Sequence, residues 1–491
     1  MRSRRAATAA MLGLGVFAFV WALARAWVQD VTGDEGENYV VFVAPHSDVI
    51  WRFSPTNHLL YTLLMRVSTG VFGAGPLAVR APALLGTALY IAAAFWLCGL
   101  IARRWEVRVP LFVCLVFNPF VFDYFVAARG YGLASAFLLL ALALHAWAHA
   151  QAEDRRHRVL LRVSPVAAVI LVLSLAANFS FAFVDVAVGA GLLTWAVNES
   201  RRSRWRLVAW TIGPAALAFI ALPGWTLMHA ERGGFFFGAN SLSEMRRSLT
   251  FSSLFELNSE AVNPWLFGAL NVVKPYMIRA AMLAALATLL ACLWRGVRDP
   301  RRRYLLSLLS VAGGAVIASV AVHLAAHRAI GLPLPLERTA LYVVVIFTLC
   351  AGILASLPVK WRPGRIIQWG LIAVMFTFAF DDLACLRLTY FCEWAYQRDV
   401  KRAFWTAAWY ANQRDLKDIE VSWYYYGALS YYRLAFDDTR TIPSFAKHDS
   451  NSGGKQLYVL NGAFDKDFIE AQKLNVAWRS LRTEVVIALR E

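Results

Sequence analysis

Long apolar stretches recur along this chain, separated by short polar segments. About eleven of them are long enough to cross roughly 30 Å of hydrocarbon. A water-soluble fold of 491 residues, 59% of them hydrophobic, could not bury so much apolar surface. We therefore predict an all-α polytopic membrane protein, with the fifth and sixth spans joined in a tight hairpin. The predicted spans cover residues 8–28, 80–101, 109–126, 131–150, 163–178, 181–197, 207–227, 276–294, 304–325, 340–357 and 366–381.

Basic residues gather in every second loop between these spans. Lys and Arg are retained on the cytoplasmic side of membranes, so the pattern predicts a cytoplasmic N-terminus and, with an odd number of spans, an external C-terminus. It also accounts for the net charge of +17 without a nucleic-acid partner. Arg greatly outnumbers Lys, which indicates a GC-rich bacterial genome and hence a bacterial inner membrane. The clusters are Arg2, Arg4, Arg5; Arg103, Arg104, Arg108; Arg155, Arg156, Arg158, Arg162; Arg201, Arg202, Arg204, Arg206; Arg295, Arg298, Arg301, Arg302, Arg303; and Lys360, Arg362, Arg365.

The large external segments divide the chain into two predicted domains. Residues 1–382 form a transmembrane domain whose first external loop, residues 29–79, contains an amphipathic stretch expected to lie on the membrane surface. Residues 383–491 are less apolar and predict a small α/β domain on the periplasmic side. Its predicted elements are a helix near residues 393–412 and strands at residues 421–426, 457–460 and 485–489.

An acidic patch follows the first span directly. Asp34, Glu35 and Glu37 stand close together in the first external loop. A carboxylate at a membrane edge can act as a general base, taking the proton from a hydroxyl or amine that attacks an anomeric carbon. The alternative is an ordinary solvated loop.

Further polar residues lie at the outer ends of other spans. Asn57 and His58 precede the amphipathic stretch, where Asn57 could instead cap a helix. Asp123, Arg129 and Tyr131 lie at the outer ends of the third and fourth spans, and ionisable groups at that depth indicate function.

Glu337 and Arg338 stand at the outer mouth of the tenth span. A guanidinium there could hold a phosphate that remains attached to a lipid. Snorkelling of Arg338 to the interface is the alternative. Asp185 in the sixth span could mark an ion path, but most other spans carry no ionisable residue well inside them, so a coupled transporter is the second choice.

The order of these motifs resembles that of the C-type membrane glycosyltransferases, which use polyprenyl-phosphate sugars and include the aminoarabinose and protein O-mannosyl transferases. The resemblance covers roughly the first 200 residues. Its motifs are the acidic pair after the first helix, the Asn-His before a surface helix, and three later segments. These are Phe72-Gly73, Ala78-Val79-Arg80-Ala81-Pro82, and Asn118-Pro119 followed by Ala128-Arg129-Gly130-Tyr131.

This resemblance implies an inverting transfer from a polyprenyl-phosphate-linked sugar donor to a lipid, polysaccharide or protein acceptor. Asp34 would be the base and Glu35 its partner, while Arg129 and Arg338 would contact the lipid phosphate. Asp123 matches a position that is usually polar. A divalent metal is possible but not required. A flippase of lipid-linked sugars and a structural envelope subunit stay open as alternatives.

Overall fold

Helices dominate the computed structural model of this chain. The structure describes residues 2–44, 49–200, 203–229, 237–255, 264–294, 299–359, 361–436, 442–448 and 454–490. The α-helices, α1 to α19 in order, are Arg2–Val28, Gly33–Asn38, Leu59–Phe72, Pro76–Ile101, Trp105–Val116, Pro119–Asp123, Tyr131–His149, Glu153–Ala177, Ala182–Glu199, Arg204–Phe219, Trp225–Met228, Leu242–Thr250, Pro264–Trp294, Pro300–Ile330, Leu341–Ser356, Arg362–Ala384, Val400–Gln413, Trp423–Phe436 and Lys466–Ala471.

Ten helices in the described part of the chain are long and apolar enough to cross a membrane. They match every predicted span except the third, and the fifth and sixth form the expected hairpin, closed by a 3₁₀ turn at Phe179–Phe181. Large apolar side chains such as Val16, Leu217 and Ile317 are exposed on these helices, as required of surfaces that face lipid. The chain is an integral membrane protein.

The third predicted span, residues 109–126, is not one continuous helix. With 12 residues, α5 extends only about 18 Å at 1.5 Å per residue. Yet α4 and α7 run in the same direction, because Gly86 packs beside Leu133 near one end and Trp96 contacts Trp147 towards the other. The chain must therefore return between them through α5, α6 and the turns that follow. Eleven continuous helices are not confirmed.

The two ends of the helical bundle differ in charge. At one end, Arg301 donates to the carbonyl of Leu100 over 2.7 Å, and Arg302 donates to that of Pro358 over 2.9 Å. The described basic clusters gather there, whereas the first external loop and the C-terminal domain lie at the other end. Five residues of the predicted clusters lie outside the described residues, namely Arg201, Arg202, Arg295, Arg298 and Lys360.

A five-stranded sheet organises the C-terminal domain. Its order is β2-β1-β3-β5-β4, in which β1 pairs in parallel with β2 and β3, and β5 pairs antiparallel with β3 and β4. The predicted strands at 457–460 and 485–489 are confirmed, and the predicted helix corresponds to α17. The predicted strand at 421–426 is wrong, because β1 ends at Val421 and α18 begins at Trp423. The strands β1 to β5 are Asp418–Val421, Ser444–Lys447, Leu457–Asn461, Asn475–Arg479 and Val485–Leu489.

The first external loop and the C-terminal domain share one hydrophobic core. Val31 and Met65 of the loop are buried in the same cluster as Phe404 and Leu429. The hydroxyl of Tyr432 accepts a hydrogen bond from the backbone N–H of Val31 over 2.8 Å. The amphipathic stretch of this loop forms α3, which is too short to span a membrane. The loop is thus fixed between the bundle and the sheet.

Candidate active site

Asp34 lies in the first turn of α2, at the end of the bundle opposite the basic clusters. Thr32 caps this helix by accepting a hydrogen bond from the N–H of Glu35, and this cap fixes the direction of the turn. The Oδ2 atom of Asp34 lies 3.6 Å from Nη2 of Arg129 and 3.4 Å from Nη2 of Arg338. The Asp34 side chain keeps 31% of its surface exposed. Its Oδ2 atom is therefore buried beside two guanidinium groups, while the side chain as a whole remains partly exposed.

Glu35 has a different environment although it is the next residue. It is fully buried, pairs with Arg80 over 2.8 Å and accepts hydrogen bonds from the backbone N–H groups of Thr32 and Ala128. Arg80 in turn donates to carbonyls at the end of α1 and just after it, including that of Gln29 over 2.8 Å. The role of Glu35 as a catalytic partner stays a prediction. Its contacts connect the acidic loop to the backbone that precedes Arg129.

Contacts of its backbone position Arg129. Its guanidinium lies 3.6 Å from the Asp34 carboxylate, too far for a hydrogen bond. Asn178 donates to its carbonyl over 3.2 Å, and Gly130 follows in the left-handed region at φ 75°, which glycine adopts without strain. Among the described residues, no acceptor is within hydrogen-bond reach of the buried Nε of Arg129. A buried donor without a partner indicates a site for an anion or an ordered water.

Arg338 lies in the 3₁₀ turn Glu337–Ala340 that leads into α15. Besides Asp34, its guanidinium contacts the carboxylate of Glu393, which also accepts from the hydroxyl of Tyr124. The guanidinium stacks over the ring of Phe237 at 4.5 Å. Charge and stacking together fix its orientation.

Glu337, which adjoins Arg338, adopts a positive φ of 46°. Its backbone N–H donates to the hydroxyl of Ser248 over 3.2 Å. These features fix the turn that carries Arg338. The role of the Glu337 carboxylate in binding stays a prediction.

His58 and Tyr131 lie beside the two arginines. Their rings meet edge to face at 5.5 Å. Burial, followed by the positive charges of Arg129 and Arg338, holds the pKa of His58 well below its ordinary value. The imidazole is therefore neutral at pH 7, and neither ring nitrogen has a hydrogen-bond partner within the described part of the chain.

Asn57 and Asp123 make contacts inside the protein. Asn57 donates to the carbonyls of Ile50 and Arg52 over 2.7 and 3.1 Å, which shapes the loop that leads to His58. The Asp123 carboxylate forms ion pairs with Arg25 and Arg387 over 2.5 and 2.6 Å and accepts from the backbone N–H of Cys392 over 2.9 Å. For both residues, a role in substrate binding stays a prediction. The described contacts connect Asp123 to α1 and to the start of the C-terminal segment.

A largely apolar cavity of ≈ 290 Å³ lies beside Arg129 and Arg338. We call it the arginine cavity. Its polar wall brings together His58, Arg129, Tyr131 and Arg338, four of the predicted site residues. The other walls include His323, which the sequence analysis did not single out. The full lining is Pro55, Thr56, His58, Arg129, Tyr131, Asn178, Phe179, Ser180, Ala182, Phe183, Leu227, Phe237, His323, Leu332, Pro333, Leu334, Pro335, Arg338 and Thr339.

Two further residues contact Arg338 although no sequence motif marks them, namely Glu393 and Phe237. Glu393 follows the last span in a mixed segment without a recognisable motif, and Phe237 lies between α11 and α12. Only the fold brings them to Arg338. Within the described residues, no three His, Cys, Asp or Glu side chains are grouped to hold a metal ion.

No known family profile matches this chain, and no curated protein is similar to it in sequence. Solved structures are similar to it, and two of them match along nearly the whole chain. ArnT from Cupriavidus metallidurans bound to undecaprenyl phosphate has a TM-score of 0.45 and 12% identity, covering 98% of each chain. The same protein in the apo state has a TM-score of 0.43 and 10% identity, covering 98% of this chain and 97% of that one. Such values assign no activity to this chain.

Proposed function

We propose that this protein is an inverting membrane glycosyltransferase that takes its sugar from a polyprenyl-phosphate-linked donor. The observation that carries the proposal is the arginine cavity: an apolar chamber with Arg129 and Arg338 at one wall and the carboxylate of Asp34 directly behind them. Its apolar walls suit an isoprenoid chain. Its guanidinium groups suit the phosphate at the end of that chain.

The unpaired polar atoms of the cavity support an anionic ligand. Nε of Arg129 and the two ring nitrogens of His58 are buried without partners among the described residues. A neutral imidazole can donate one hydrogen bond, and a guanidinium donates charge-assisted ones. A phosphate oxygen placed between the two side chains would satisfy donors that the protein itself does not satisfy.

In the proposed reaction, Asp34 accepts the proton of the attacking acceptor group. A hydroxyl oxygen of the acceptor forms a bond to the anomeric carbon while the bond between that carbon and the phosphate oxygen breaks. The hydroxyl proton passes to the Asp34 carboxylate, and the electron pair of the breaking bond stays on the lipid phosphate. Arg129 and Arg338 stabilise the negative charge that collects there. A single displacement of this kind inverts the configuration of the anomeric carbon.

We place this reaction on the periplasmic face of a bacterial inner membrane. The basic clusters at the opposite end of the bundle support a cytoplasmic N-terminus, and the C-terminal domain then shares the periplasm with Asp34. The first external loop forms the catalytic part of a transmembrane domain, residues 1–382. Residues 383–491 form the external domain, and the acceptor is a lipid, a glycan or a protein.

Replacing Asp34 by Asn tests the proposal. Asn cannot take a proton, so we expect transfer to fall by roughly 10²- to 10⁴-fold with unchanged abundance. The purified chain in nanodiscs would receive undecaprenyl-phosphate-linked hexoses and pentoses together with cell-envelope extracts. Mass spectrometry would quantify the released undecaprenyl phosphate and the new glycosidic product.

Asp154→Asn is the matched control, because that carboxylate is 72% exposed at the opposite end of the bundle. It should retain wild-type turnover. Full activity of Asp34→Asn would remove the base assignment. Movement of the donor between leaflets without a new glycosidic bond would identify a flippase instead.

A further inference from the structure

A second cavity lies on the other side of Asp34, between α2 and the sheet of the C-terminal domain. Its volume is ≈ 140 Å³, and its walls include Asp34, Glu37, Trp423, Tyr424, Tyr426 and Lys447. We call it the sheet-edge cavity. None of the residues that line it also lines the arginine cavity. Asp34 therefore separates two chambers of different character.

The topology of the sheet places this cavity where α/β domains bind ligands. The chain passes from β1 through α18 to β2 on one side, and then returns to β3 on the other side of β1. Trp423 follows the carboxyl end of β1, and Lys447 is the last residue of β2. These are the carboxyl ends of two neighbouring parallel strands, and in open α/β sheets ligands bind outside such ends.

Two glycines hold this edge directly against the acidic loop. A methyl group added at Gly36 would lie 2.2 Å from the carbonyl oxygen of Gly427, and one added at Gly427 would lie 2.2 Å from that of Gly33. The amide of Gln397 accepts from the N–H of Gly33 and donates to the carbonyl of Tyr424, both over 2.7 Å. The backbones of α2 and α18 thus touch, and the aromatic wall is fixed beside Asp34.

The walls of the sheet-edge cavity consist of aromatic faces and a few charges. The rings of Trp423 and Tyr424 are 4.0 Å apart, and Tyr396 meets Tyr424 edge to face at 5.6 Å. Trp423 is 59% exposed, so its ring is accessible to a ligand. The electron-rich faces of Trp and Tyr attract the C–H groups of a sugar ring. Glu37 and Lys447 can form hydrogen bonds with the hydroxyl groups of that sugar.

We propose that the sheet-edge cavity binds one sugar residue of a carbohydrate acceptor and presents its hydroxyl to Asp34. This inference rests on the proposed function and names the acceptor class. The volume favours a single ring, since it lies below the roughly 300 Å³ of a site for a drug-sized molecule. A lipid tail would need an extended apolar wall, which the arginine cavity has.

Saturation-transfer NMR on the full-length chain in nanodiscs tests the acceptor site. The probes are methyl glycosides of glucose, galactose, mannose and N-acetylglucosamine, together with a Ser/Thr-containing peptide. We expect ring protons of at least one glycoside to receive saturation. Trp423→Ala should reduce that signal at least about five-fold, and Tyr426→Ala should also weaken it, because each removes an aromatic face.

Trp409→Ala is the matched control, since Trp409 is 56% exposed on α17 of the same domain and borders a different groove. It should leave the glycoside signal unchanged. The acceptor proposal is overturned if no glycoside binds the wild-type chain, if Trp409→Ala and Trp423→Ala lose the signal equally, or if only the peptide binds.

Binding of undecaprenyl phosphate, measured in the same samples, separates this proposal from the proposed function. Trp423→Ala should bind this lipid as the wild type does, because Trp423 lies outside the arginine cavity. Failure of the wild-type chain to bind undecaprenyl phosphate would count against the donor assignment. The glycoside measurement would still be readable in that case.

Discussion

Asp34 and Glu35 are neighbours in the sequence, but the fold gives their carboxylates different environments. The sequence places both beside the first span, and it identifies the loop as a candidate site. It does not distinguish their environments, because the partner of Glu35 is Arg80, 45 residues away. The same holds for Asp123, whose partner Arg387 is 264 residues away. Local spacing identifies acidic residues near a membrane edge, but only the fold determines which of them form buried ion pairs with arginines.

A histidine gives a pH-dependent prediction at this scale. The folded state holds the pKa of His58 well below 6.5, so below pH 6.5 the unfolded state binds a proton that the folded state does not. The free energy of unfolding should therefore fall as the pH drops below 6.5, by at most about 1.4 kcal/mol per pH unit from this group. Melting temperatures of the purified chain at pH 7.5 and 5.5 measure this loss.

The variant His58→Gln should lose part of this pH dependence, because Gln does not titrate. The control His229→Gln replaces an exposed histidine and should melt with the wild-type pH dependence. An unchanged difference between the two pH values in His58→Gln would contradict the assignment.

At the scale of elements, the apolar spans were accessible to sequence analysis and the aromatic start of α18 was not. Runs of about 20 apolar residues have few alternatives to a membrane helix. The segment from Val421 to Tyr426 consists of a β-branched residue, a serine and aromatic residues, which favour strands. From Trp423 onward it forms the helix α18 instead, in which Gly427 packs against α2. Tertiary contact thus overrides local preference.

The contact between α2 and α18 predicts a large effect from a small substitution. Gly36→Ala would place a methyl group 2.2 Å from a backbone carbonyl, so the helices must separate. We expect a loss of about 1–3 kcal/mol in the free energy of unfolding and a weaker glycoside signal. Gly70→Ala in α3 is the control, because a methyl group there meets open space and should be neutral or mildly stabilising. Equal melting temperatures of both variants would contradict the close packing.

For the whole molecule, the arrangement of charge predicts which ends of the helices share a compartment. Glu37 borders the sheet-edge cavity, whereas Arg155 lies at the opposite end of the bundle with its side chain 74% exposed. In a Cys392→Ser background, a membrane-impermeant maleimide should label Glu37→Cys on intact spheroplasts. It should label Arg155→Cys only after permeabilisation. The reverse pattern would place Asp34 in the cytoplasm and contradict the proposed periplasmic reaction.

The interrupted third crossing has a consequence for biosynthesis. Asn118 caps the short α6 by accepting from the N–H of Val121 over 3.3 Å, and Thr87 of α4 donates to the carbonyl of Phe125 over 2.8 Å. Backbone groups of this segment are thus satisfied by neighbouring protein, which lipid could not do. Lipid alone cannot satisfy the carbonyl of Phe125. The loop that carries Arg129 is therefore expected to take its shape only after α4 has packed against this segment.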